Sequence, residues 1–140
     1  MSVSAVDRLE AEIDAFCAKL TQQILDELPE YRDDPTASVY LGHSIRENAD
    51  QVLKVFRDVP NDVTAARNVG LMTATATTVP LDTLLRAYRI ALAAFVARLQ
   101  ELAGPDEDVS AAAERLRLAH VEVAAVLREE YLAAKARQHD

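Results

Sequence analysis

Tryptophan is absent from this chain of 140 residues; phenylalanine occurs three times, tyrosine four times and glycine three times. A sheet built from aromatic and β-branched residues is therefore disfavoured, whereas the abundant Ala, Leu, Glu and Arg are good helix formers. With a single cysteine, Cys17, no disulfide can close within the chain, and a reduced, cytoplasmic setting is expected. Positive charge is scarce too: 15 basic residues stand against 23 acidic ones, a formal charge of −8. Such a chain repels phosphate backbones and anionic membranes, which argues against direct nucleic-acid binding. No apolar run is long enough to cross a bilayer, and Met1-Ser2-Val3-Ser4 lacks the basic-then-apolar start of a signal peptide. What is present suffices for one domain over residues 1–140. Half of the residues are apolar, and a chain of this length buries roughly two-thirds of its unfolded surface.

The apolar spacing predicts an all-α domain of five helices. Ser4, with Asp7 three residues on, caps the first, and Val6, Leu9, Ile13, Phe16, Cys17, Leu20, Ile24 and Leu28 form its stripe up to Pro29. After a polar link over Glu30 to Asp34, Asp34-Pro35 starts the second helix. Its inner face is Leu41, Ile45, Ala49, Val52, Phe56 and Val59, and Pro60 closes it; Gly42 allows a close helix contact near its start. Asn61 or Asp62 caps a third, weaker helix through Ala65, Ala66, Val69, Gly70 and Met72. Its Thr73 to Val79 end is rich in β-branched residues and is expected to be mobile, yet helical rather than a strand without a partner.

The fourth helix has the sharpest start. Pro80 fixes a helical φ, Asp82 places negative charge in the first turn, and Leu81, Leu84, Leu85, Tyr88, Leu92, Phe95, Val96, Leu99 and Leu102 build one wide apolar stripe. It runs to Ala103 and stops at Gly104-Pro105. The fifth begins within Asp106 to Ser110 and carries Val109, Ala112, Leu116, Ala119, Val123, Val126 or Leu127, and Ala134 on its inner face. Its many alanines suit close packing on another helix.

Catalytic chemistry has no foothold in this pattern. His43, His120 and His139 are far apart, with no HxxxH, HExxH or ExxH pairing, so no metal site is expected; His43 and His120 read as core or interface histidines and His139 as a solvated tail. Acid pairs such as Asp33-Asp34 and Glu129-Glu130 read as caps and solvated faces, and there is neither a nucleophile elbow nor a glycine-rich phosphate loop. Cys17 falls in a buried register, where a thiol is inert. The residues that invite a ligand or partner are Arg67, Arg86, Tyr88 and Arg89. Arg86 and Arg89 lie three residues apart on one side of the fourth helix beside Tyr88, and Arg46 and Arg67 could approach from other helices. The arginines either pair with acids of neighbouring helices or bind an anionic molecule or a partner's carboxylates; the spacing fits both.

The stretch Val79-Pro80-Leu81-Asp82-Thr83-Leu84-Leu85-Arg86-Ala87-Tyr88-Arg89 follows a helix bearing Arg67 and a first helix ending Leu28-Pro29-Glu30-Tyr31. In this it resembles the N-terminal helical domain of the RsbR/RsbRD co-antagonists of stressosomes and of PucR-like actinobacterial transcription regulators. The resemblance implies a globin-like bundle of five to six helices, without haem or other cofactor. It also implies a homodimer that senses or relays a signal to an effector domain or partner protein. A pocket for a small ligand beside Tyr88, Arg89 and the threonine-rich segment is the alternative, and a haem-binding version is a further one. Neither a helix-turn-helix nor a STAS segment follows the last helix, so the chain is expected to be either an excised sensor domain or a stand-alone relative.

Overall fold

A computed structural model describes residues 3–139, and these form seven helices with no strand among them. They are α1 (Ala5–Ala11), α2 (Ile13–Glu27), α3 (Pro29–Arg32), α4 (Pro35–Phe56), α5 (Thr64–Ala76), α6 (Leu81–Leu102) and α7 (Ser110–Gln138). The expected all-α class holds; the helix boundaries differ in four places, each with a physical cause.

The first expected helix divides at Glu12, where φ −111° and ψ 15° leave the helical region. Arg98 of α6 donates from Nε and Nη2 to both carboxylate oxygens of Glu12, fixing the break against α6. Pro29 does more than end α2. It occupies the first turn of the short helix α3, within the segment expected to be a link. Helix α4 stops at Phe56, before Pro60, because Asp58 adopts a left-handed φ of 63°. The Asp58 N–H then bonds to the Val55 carbonyl at 3.0 Å and the Val59 N–H to that of Lys54 at 2.9 Å, the double closure of a Schellman ending. Val59, expected on the inner face, is 45% exposed as a result. Arg115 of α7 completes this end by donating to the carbonyls of Val55 and Phe56.

The threonine-rich segment, expected to be mobile, is tied down. Helix α5 runs to Ala76, and the chain is then extended into Pro80. Asp34, which caps α4 by accepting from the Ala37 N–H at 3.1 Å, also accepts from the N–H and hydroxyl of Thr78 at 2.8 and 2.9 Å. The cap at Ser4 forms as expected, accepting from the Asp7 N–H at 3.1 Å. At the other end of the bundle, the Glu107 carboxylate accepts from the Ala5 and Gly104 N–H groups, closing the turn after α6 onto the start of α1.

The apolar side chains gather in two clusters. One joins α1 to α4 with the later part of α6 and the start of α7, around Leu9, Leu20, Ile24, Leu28, Phe56, Phe95 and Leu99. The other joins α5, the start of α6 and the end of α7, around Ala66, Val69, Leu84, Leu127 and Tyr131. Helix α7 packs most extensively on α5. A Cβ at Gly70 would stand 3.0 Å from the Leu127 carbonyl oxygen, so this close approach depends on glycine. At Gly42, by contrast, the nearest foreign atom is a Thr21 methyl at 3.7 Å; the close contact expected there occurs at Gly70.

Candidate functional site

A cavity of about 100 Å³ lies where the two clusters meet. The first cluster contributes Ile24, Leu41, Ile45 and Phe95, and the second contributes Val69 and Leu84. Helix α6 lays Ala87, Tyr88, Ala91 and Leu92 along one wall, and α7 lays Leu116, Ala119, His120 and Val123 along another. No lysine, arginine, aspartate or glutamate lines it. The polar groups are neutral: Ser44, Asn48 and Gln51 from α4, Asn61 from the loop before α5, the tyrosines and His120.

Most of these polar groups are already partnered. The Ser44 hydroxyl donates to the Leu41 carbonyl at 3.0 Å, and the Asn48 amide donates to the Ser44 carbonyl at 2.7 Å. Gln51 donates to the side-chain oxygen of Asn61 at 3.4 Å, and the Asn61 amide nitrogen is buried without a partner among the described residues. The Tyr88 hydroxyl is also buried without a partner among the described residues. Each unsatisfied donor of this kind costs about 1–3 kcal/mol. Burial drives the Tyr88 hydroxyl far above the usual tyrosine range, with smaller contributions of the same sign from Tyr31 and Tyr40 and an opposing one from the Asn48 side chain, which faces the phenolic oxygen as a donor and leaves the Tyr88 proton without an acceptor. It is therefore a neutral O–H donor at any ordinary pH. Half-buried His120 is pushed below its usual value of 6.5, first by desolvation and then by the charge of Arg89, so near neutral pH it is uncharged.

Of the four residues singled out from the sequence, Tyr88 alone stands in this wall. Arg67 donates to Glu130 at 2.8 Å and ties α5 to α7. Arg86 and Arg89 are exposed and form no ion pair among the described residues. Arg46 is held by Asp14 and Asp50 at 2.7 and 2.8 Å. His43, expected in a core or interface, is an exposed residue of α4 whose Nε2 stands 3.7 Å from Glu47. Cys17 is buried, and desolvation pushes its thiol up to about 11. Among the described residues no group of three metal-ligating side chains forms, and no helix is long and apolar enough to cross a membrane.

Ser44, Asn48 and Gln51 were not singled out from the sequence, and Asn61 was named there only as a candidate helix cap, a place where Asp62 instead accepts from the Thr64 N–H. The first three recur at steps of four and three residues on α4, beside Leu41, Ile45 and Val52. A short polar stripe running along an apolar one was the available signal.

The outer side of α7 is the second feature of note. Leu118, Val121 and Leu132 are 64%, 68% and 53% exposed. With Ala111 and Ala125, also exposed, they recur at three-, four- and seven-residue steps on the face turned away from Leu116, His120, Val123 and Leu127.

No curated protein and no solved structure matches this chain. A family model does match, over residues 14–140, and it describes the N-terminal domain of the RsbT co-antagonist protein rsbRD, a regulatory family and not an enzymatic one. The match spans nearly all of the helical bundle, and the chain belongs to that family.

Proposed function

We propose that this chain is a sensor and dimerisation domain that relays a signal to an effector of the stressosome or transcription-regulator type. One observation carries the reading: α7 lines the internal cavity with Leu116, Ala119, His120 and Val123, and carries Leu118, Val121 and Leu132 on its outer face. A change in the cavity therefore bears on the same helix that offers an uncovered apolar stripe. Packed helices respond to such changes by small rigid shifts, which an interface can read out. The seven-residue recurrence of Ala111, Leu118, Ala125 and Leu132 is the register in which two helices pair along their length. Glu114, Glu122, Arg128 and Glu129 beside the stripe offer charges of both signs to a second copy. The bundle is proposed to follow the globin-like arrangement that the resemblance implies. Haem in this cavity is disfavoured, because about 100 Å³ has no room for a porphyrin.

Light scattering coupled to size-exclusion chromatography tests the dimer. The wild-type chain is expected to run as a dimer at high micromolar concentration. Leu118→Glu, on an exposed site, is expected to run as a folded monomer. A wild-type chain that stays strictly monomeric would remove the dimerisation half of the proposal.

A further inference from the structure

The cavity wall combines an apolar surface, no charged side chain and two buried donors with nothing to donate to, the Tyr88 hydroxyl and the Asn61 amide. We infer that the cavity takes a small, uncharged, largely apolar carbonyl compound, whose oxygen accepts from the Tyr88 hydroxyl, the Asn61 amide or both. This inference rests on the sensor reading above and gives it a ligand class.

Three observations converge on that class. Size comes first: an apolar cavity of about 150 Å³ accommodates benzene, so one of about 100 Å³ suits a molecule no larger than that, with about six non-hydrogen atoms as the upper limit. Charge comes second. A carboxylate or ammonium placed here would lose its hydration and meet no ion-pair partner in the wall, since Arg86 and Arg89 are exposed, Arg89 reaching His120 only through its field, and Arg67 is committed to Glu130. Polarity comes third. Ser44 and Asn48 donate to backbone carbonyls, and Gln51 is committed to Asn61. The two buried groups without a partner among the described residues can each donate, so an acceptor on the ligand would satisfy both. A hydrocarbon would leave both donors unsatisfied.

The position of the site connects ligand to fold. Tyr88 packs with the α5–α6–α7 cluster, while its neighbour Ala87 belongs to the cluster built on α1 to α4. A molecule held by Tyr88 therefore fills the seam between the two.

The test compares cyclopentanone with methylenecyclopentane, which keeps the ring and replaces the oxygen by a CH2 group. Binding is read from methyl NMR shifts of Ile24, Leu41, Ile45, Val69, Leu92 and Val123. The ketone is expected to bind about tenfold more tightly than the hydrocarbon, in line with one additional well-made hydrogen bond. Tyr88→Phe and, separately, Asn61→Leu are expected to shrink that preference while leaving hydrocarbon binding in place. Two variants are used so that loss of folding in one leaves the other to decide. Equal binding of the two probes to the wild type would overturn the inference, as would binding of neither up to the solubility limit. Tighter binding of cyclopentanecarboxylate than of cyclopentanone would overturn it too. Ketone binding without any change in dimerisation would leave the ligand class standing and remove the relay instead.

Discussion

The Tyr131 hydroxyl donates a buried hydrogen bond to the backbone carbonyl of Val79 at 2.8 Å, joining the last helix to the segment that leads into α6. Val79 is itself almost fully buried, so its carbonyl has no water to turn to. Tyr131→Phe is expected to strand that oxygen and lower stability by about 1–2 kcal/mol, seen as a reduced urea midpoint with an unchanged slope.

The two helical glycines are expected to respond with opposite signs. At Gly70 a new methyl meets the Leu127 carbonyl oxygen at 3.0 Å and Glu130 Cβ at 3.2 Å, so α5 and α7 must separate slightly. Gly70→Ala should destabilise by about 1–2 kcal/mol despite the better helix propensity of alanine. Gly42→Ala meets only the Thr21 side chain at ordinary contact distance and should stabilise by about 0.5–1 kcal/mol. Thermal unfolding of the two variants side by side checks both signs.

Asp34 and Asp33 are adjacent acids with unequal roles. Asp34 caps α4 and holds Thr78, while exposed Asp33 forms among the described residues only a loose ion pair with Arg32 at 3.8 Å. Asp34→Ala is expected to lower the urea midpoint clearly and to raise amide exchange across Thr77 to Val79, and Asp33→Ala to do neither.

Acid is expected to act in two stages. His120 has a folded-state pKa depressed below 6.5, with desolvation the larger cause. Above about pH 6.5 it is neutral in folded and unfolded chains alike and has no effect. As pH falls below that value the unfolded chain takes up its proton first. The folded state then loses stability until the depressed value is passed, by less than about 1 kcal/mol for a half-exposed group. Asp34 and Glu107 have folded values lowered chiefly by backbone N–H donors, so their contribution is full above the ordinary carboxylate range and is lost as pH falls through the lowered values. Stability measured from pH 7.5 to 3 should therefore fall in two steps, and His120→Gln should remove the first alone.

The helices and their buried faces were largely legible in the sequence, because period and caps are local properties. Leu84, Leu85, Phe95, Val96 and Leu99 are buried in the order their spacing required, and Ser4 and Asp34 cap where their side chains allow. What was not legible depended on residues far apart in the chain. The break at Glu12 answers to Arg98, and the order of the threonine-rich segment answers to Asp34 and Tyr131. The stop at Asp58 relies on an aspartate in a conformation usually given to glycine. Site residues divided the same way. Tyr88 was named both as a companion of Arg86 and Arg89 and as part of the alternative ligand pocket, but that pocket was drawn with Arg89 and the threonine-rich segment, and no local pattern indicates which side of α6 is open to water and which borders a cavity. The polar residues of α4 interrupt an apolar stripe, and that interruption becomes meaningful only once α6 and α7 close over it.

The relay from cavity to outer stripe is tested most directly by sedimentation velocity of the chain across a concentration series, with and without cyclopentanone. The account predicts a reversible dimer whose dissociation constant shifts at least threefold when the ketone is present. A dissociation constant that does not move while NMR shows the ketone bound, or a chain that never dimerises, would contradict it.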